Sequence, residues 1–165
     1  MSAGVTLEEM LAWNDEASVY WKAHLDAEPN LLDLACGIGG AANVQEFVRH
    51  IWGAELRWAE RLAKTPETPR EKIPAGPLGA LFDLHRQAVA IYRGLLAAPE
   101  STWSDPYILK FDWLPPEERA VSRRKIAAHA LFHSQRHWAQ LATLVRNAGF
   151  PSSFRGDLLF SPALR

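Results

Sequence analysis

The stretch Ile126-Ala-Ala-His129-Ala-Leu-Phe-His133-Ser-Gln-Arg-His137-Trp-Ala-Gln-Leu141 sets three histidines four residues apart within one apolar, helix-forming run. At about 3.6 residues per turn, residues four apart stack on one helix face, so two imidazoles of one helix can meet a third from a helix packed against it. A fourth histidine, His50, stands in a second such run, Phe47-Val-Arg-His50-Ile-Trp52. Helical bundles build metal sites in this way. Neutral imidazole suits Zn, Ni, Cu or Fe, and three protein ligands leave at least one position for water or substrate. A lone histidine on a helix is more often a surface or hydrogen-bonded core residue. Here Leu131, Phe132, Trp138, Leu141, Leu144 and Val145 surround the cluster. Much of the helix must therefore be buried, where unpaired polar rings are costly and several histidines need a common partner.

Outward from that helix the period is helical nearly everywhere. Thr6 followed by Glu8 and Glu9 predicts an N-cap with an acidic first turn, opening a helix to about Ala27 that Pro29 closes. Asn43 predicts the cap of a second helix, Val44 to about Ala63, with Phe47, Ile51, Ala54, Trp58 and Leu62 at core spacing. After a proline-marked connection a third helix is expected from about Leu78 to Ala97. Pro99 to Pro116 reads as irregular, with a short extended piece at Tyr107 to Phe111. The fourth helix is expected to start near Pro116 or Glu117 and to end near Ala148, with Gly149 in the C' position and Pro151 beyond it. The tail from Phe150 should pack back through Leu158, Leu159 and Phe160. Four long helices with two long connections predict an all-α four-helix bundle with crossover connections, one domain over 1–165.

Composition narrows the function. With 48% hydrophobic residues the chain can bury a sizeable core, and 18 basic against 19 acidic side chains leave a net charge of -1. That lacks the basic excess of a protein gripping nucleic acid by its phosphates, so no nucleic-acid partner is expected. The single cysteine, Cys36, excludes an internal disulfide and suits a reducing compartment. No apolar run approaches the roughly 20 residues that span a bilayer, and the N-terminus lacks the pattern of a signal peptide. The expectation is a cytoplasmic protein with no membrane partner.

The segment Phe47-Val-Arg-His50-Ile-Trp-Gly-Ala-Glu55-Leu-Arg-Trp58-Ala-Glu-Arg-Leu62 resembles the second-helix motif of the DinB/YfiT-like metalloproteins. The run from His129 through His133 and His137 to Gln140 and Leu141 resembles their fourth-helix motif, and Gly156-Asp157-Leu158-Leu159-Phe160 is similar to their C-terminal end. The resemblance implies one divalent metal held by one histidine of the second helix and two of the fourth. These map to His50, His133 and His137. Because borderline metals favour imidazole over oxygen ligands, zinc is expected first and nickel as an alternative. In the family the last histidine usually precedes Arg-Gly-Gln. This chain has Trp138-Ala139-Gln140, and Arg136 stands where a further histidine is common.

Either adjacent pair, His129 with His133 or His133 with His137, could chelate on geometry alone. His129 is assigned to the pocket wall or to a position behind the ligands, as is Gln140. Glu55 could orient a ligand imidazole or pair at the surface, and Arg57, seven residues after His50, returns to that face, where it could bind an anion. Gly53 and Ala54 share the His50 face and could leave room for a substrate or simply permit close packing. His24 and His85 lack a partner motif and are expected at the surface. Leu31-Leu-Asp-Leu-Ala-Cys-Gly37-Ile-Gly39-Gly40 imitates the glycine-rich turn of S-adenosylmethionine methyltransferases, but no alternation of strands and helices follows, so the glycines are assigned to a turn.

Such a site can lower the pKa of bound water or thiol, or polarise a carbonyl. Members of the family resembled include metal-dependent transferases and isomerases that use low-molecular-weight thiols. The first expectation is therefore activation of an external thiol for transfer to an electrophile. Metal-assisted hydrolysis is the second, and a stress-associated metal binder without turnover the third. No residue is assigned as catalytic. Seven tryptophans, with Trp52 and Trp58 beside the core positions of the second helix, exceed what one bundle interior readily absorbs. A homodimer, common in the family resembled, is expected to cover them.

Overall fold

The computed structural model describes residues 4–163. Four long helices dominate: α1 (Leu7–Ala27), α2 (Val44–Ala63), α3 (Leu78–Leu96) and α4 (Arg123–Asn147). Two short strands, β1 (Pro106–Ile108) and β2 (Ala120–Ser122), form one antiparallel pair with Tyr107 opposite Val121. Helix α1 packs chiefly against α3 and α4, and α2 against the same two. The segments joining α1 to α2 and α3 to α4 therefore cross between helices on opposite corners, the crossover path expected of the chain. None of the described helices is long and apolar enough to cross a membrane.

The caps act where the sequence carries the right side chains. Thr6 Oγ1 accepts from the Glu9 amide and Glu9 reaches back to the Thr6 amide, a reciprocal pair that satisfies two otherwise orphaned donors. Asn43 Oδ1 accepts from the Glu46 amide and starts α2 at the expected residue. Gly37, Gly39 and Gly40 all take positive φ in a tight turn closed by Cys36 N–H to Ala42 O, so the methyltransferase-like motif serves as a connection between helices.

Helix α4 starts later than expected, at Arg123. Pro116–Glu118 forms only a 3-10 turn, and Ala120–Ser122 are committed to the ladder with β1 before the Ser122 side chain caps the helix by accepting from the Lys125 amide. The acidic pair Glu117 and Glu118 thus belongs to a hairpin, whose strand lies at Pro106–Ile108 rather than Tyr107 to Phe111. The tail is also anchored differently. Phe154 packs on Tyr20 and Trp21 at ring separations of 5.2 and 5.3 Å, while Leu159 and Phe160 remain exposed.

Three tryptophans meet in the interior. Trp21 of α1 stacks on Trp138 of α4 at 6.0 Å, Trp52 of α2 meets Trp138 edge-on at 5.7 Å, and the Trp52 indole donates to Ser18 Oγ at 3.2 Å. All three are fully buried. The interior therefore absorbs Trp52, which removes it from the residues that a partner would have to cover.

Candidate metal centre

Helix α2 presents His50 and α4 presents His133 and His137, one turn apart, because these two helices pack directly on each other. One ligand atom from each of the three imidazoles lies within 4.8 Å of the other two, and the group could hold a metal ion. His133 Nε2 and His137 Nε2 stand 3.1 Å apart. Two nitrogens bound at about 2.05 Å around a tetrahedral ion are separated by about 3.3 Å, so this spacing matches a shared ion closely. His137 is buried, His133 half-buried and His50 exposed at the rim. Phe47 packs edge-on against His137 at 5.0 Å and fixes the plane of its ring.

Gln140 stands behind the cluster. Its Oε1 lies 2.7 Å from His137 Nδ1 and accepts the N–H there, which leaves the Nε2 lone pair of His137 facing His133. Burial pushes the His133 imidazole down to about 3, reinforced by His137, His50 and Arg136. Burial likewise lowers His137, against which the Gln140 bond works in the opposite sense, and burial, with the charges of Arg70 and Arg136 added, lowers His50. At neutral pH all three rings are therefore uncharged, the form in which imidazole offers a lone pair to a cation. The donor set is purely nitrogen, which favours borderline metals over magnesium or calcium.

His129 continues the α4 row but faces elsewhere. Its ring packs edge-on against Trp58 at 5.2 Å, and with His50 and His133 it borders a cavity of about 760 Å³ that opens beside the cluster. The hairpin supplies the opposite wall through Phe111, Trp113 and Leu114. Arg119 braces this loop by donating to Leu114 O at 2.8 Å and Asp112 O at 3.3 Å. Ala54 and Arg57 border the cavity on the α2 side. Gly53 does not, because Ile73 fills the space beside it and an added Cβ would meet Ile73 Cγ2 at 3.3 Å.

Three expectations are corrected. Glu55 lies neither at the cluster nor at the surface. Its carboxylate is buried, accepts from Asn14 Nδ2 at 2.7 Å and faces His85 Nδ1 at 2.7 Å. His85, expected at the surface, is almost wholly buried between α1, α2 and α3, with Asp15 Oδ1 2.9 Å from its Nε2. His24 is also no free surface residue, for its ring stacks on Tyr20 at 5.6 Å. The sequence did carry a signal for the Glu55–His85 pair: each occupies the buried stripe of its own amphipathic helix, where a charge requires a partner.

The sequence profile of the DinB superfamily matches residues 6–141. No curated protein matches the chain.

Proposed function

Since this chain belongs to the DinB superfamily, we propose that it is a metal-dependent transferase holding one divalent ion on His50, His133 and His137. Zinc is the first candidate and nickel the second. The ion would supply Lewis acidity, lowering the pKa of a small thiol so that the thiolate is available near neutral pH. The observation that carries the reading is the convergence of three uncharged imidazoles at the edge of a cavity of about 760 Å³. A site that only stores metal has no need of such a cavity.

The residues around the cluster support the same chemistry. The Gln140 bond holds the His137 tautomer with its Nε2 lone pair turned to the cluster, and Trp58, Phe111 and Leu114 give the cavity beside the reacting groups an apolar wall. Cys36 is not among the cavity residues, and burial raises its thiol, so the reacting thiol is an external small molecule and its acceptor a small electrophile. The reading includes a reducing, cytoplasmic setting. It also includes a homodimer, supported by apolar side chains such as Val19 and Phe132 that stay exposed on the helices. Sedimentation equilibrium tests the dimer, and a monomer of 18.5 kDa would remove it without touching the metal site.

The reaction is tested by following conjugation of cysteine, or another small thiol, to an aryl halide with zinc-loaded protein, chelated protein and His133→Ala. Acceleration by the loaded protein alone, persisting at pH values well below the roughly 8.5 of a free thiol, supports transfer. Ester hydrolysis without added thiol would move the reading to a metal-dependent hydrolase. Identical behaviour of loaded and chelated protein in both assays would reduce it to a non-catalytic metal binder.

A further inference from the structure

Beside His50 the fixed charges are mostly basic: Arg49, Arg57 and Arg70 stand there against one carboxylate, Glu46, which is exposed and accepts from the Ala42 amide. None of the three imidazole-cluster members is acidic, Arg70 borders the same concavities as His50, and the Arg136 guanidinium lies 3.4 Å from His137 Nε2. The arginines of α2 and the following loop divide by how far their donors are already used. Arg49 spends its guanidinium on the carbonyls of Arg70, Ile73 and Pro74, which ties that loop to α2 and sets the Arg70 backbone beside His50. Arg61 is committed to Glu67 through two hydrogen bonds, and its guanidinium lies 4.3 Å from the Trp58 ring and 4.8 Å from Phe111.

Arg57 and Arg70 are different. Arg57 only shares Glu67, at 3.3 Å, and its buried Nε has no hydrogen-bond partner. The Arg70 side chain forms no ion pair among the described residues and is exposed. Both border the large cavity, and both, with His50 and Ala54, also border an adjoining hollow of about 240 Å³. Unused guanidinium donors thus stand where two concavities join beside the imidazoles. On the far side the cavity is apolar and aromatic, with Trp58, Phe111 and Leu114. The carboxylates on its border, Glu117 and Glu118, are exposed residues of the hairpin, where Lys125 also borders the cavity.

Resting on the metal-site reading above, we propose that the cavity is built for a small molecule carrying a carboxylate on an aromatic or otherwise apolar body. Arg57 and Arg70 receive the carboxylate, and the Trp58–Phe111 wall receives the body. The planar guanidinium fork matches the two carboxylate oxygens, and the half-buried setting of Arg57 makes its charge-assisted bond stronger than in open solvent. An aromatic face beside the fork selects against small hydrophilic anions.

Calorimetric titration with 2-naphthoate, 2-naphthamide and acetate tests this on zinc-loaded and on metal-free protein. The expected result is that 2-naphthoate binds roughly tenfold more tightly than either of the others, as a charged hydrogen-bonded pair implies. Arg70→Gln and Arg57→Gln should each erase most of that preference while leaving 2-naphthamide affinity and zinc content unchanged. Arg70, being exposed, can be replaced without disturbing the core. In metal-free protein the preference should persist and remain dependent on the arginines. Equal binding of naphthoate and naphthamide would overturn the anion site, and acetate binding as tightly as naphthoate would overturn the aromatic wall. A preference that survives both substitutions but disappears on chelation would assign the carboxylate to the metal and overturn the role of the arginines. Failure to bind zinc, with the arginine-dependent preference intact, would defeat the metal reading and leave this one standing.

Discussion

Replacing His85 should cost this fold several kcal/mol, and the wild-type stability should itself fall on the alkaline side. His85 Nδ1 lies 2.7 Å from Glu55 and Nε2 2.9 Å from Asp15. Ionised carboxylates only accept, so both ring nitrogens donate and the ring is an imidazolium. Burial opposes that charge, but the Glu55 charge and the bonds to Asp15 and Glu55 outweigh it, and His85 is pushed up from 6.5 to about 9. A group whose folded pKa is raised adds stability that is complete below its unfolded pKa and is lost as pH rises through the folded one. The contribution is therefore full below about pH 6.5 and gone above about pH 9, and a shift of this size corresponds to about 3 kcal/mol. His85→Leu removes the imidazolium and leaves the buried Glu55 carboxylate with Asn14 alone, which should cost about 3–5 kcal/mol near neutral pH. Urea unfolding of both proteins, held metal-free with chelator at pH 6.5 and pH 9.5, measures this. The gap between them should narrow by about 3 kcal/mol at the higher pH. A gap that is small at pH 6.5, or that does not change, would refute the charged-imidazolium account of this three-helix junction.

Gln140→Ala should weaken metal binding by about 10- to 100-fold, because His137 loses the acceptor that fixes its tautomer; competition with a chromogenic chelator reads this directly. Arg136→Gln should strengthen metal binding severalfold, since the Arg136 guanidinium stands 3.4 Å from His137 Nε2 and repels a cation there. The same competition assay gives the sign, and weaker binding would contradict it. Trp138→Ala should lower unfolding stability by about 3–5 kcal/mol, because it empties the junction where Trp21 and Trp52 meet.

The bundle was legible because its signals are local. Thr6, Asn43 and Gly149 mark helix ends by side-chain or backbone chemistry that needs no tertiary context, and α2 runs between the expected residues. The start of α4 was not, since Pro116 suits the first turn of a 3-10 segment within a hairpin as well as the start of a long helix. Only pairing with β1 decides that Ala120–Ser122 are extended. The His50, His133 and His137 group could be named because helical spacing fixes which residues share a face. The role of Glu55 could not be read from its own helix, because the partner that determines it, His85, comes from α3, thirty residues further along the chain. Likewise the cavity wall at Phe111 and Leu114 depends on a loop whose course is set by Arg119 bonds to backbone carbonyls, which no side-chain periodicity reports.

The central claim is tested most directly by the metal content of protein purified from metal-replete medium, without chelator or a metal-leaching affinity column, for wild type and single alanine variants. About one divalent ion per chain is expected in wild type and in His129→Ala, with strong loss in His50→Ala, His133→Ala and His137→Ala. A wild-type protein that carries no metal and takes none up on reconstitution would contradict the account. So would a site abolished by His129→Ala but retained in His137→Ala, which would move the ligand pair one helical turn toward the start of α4.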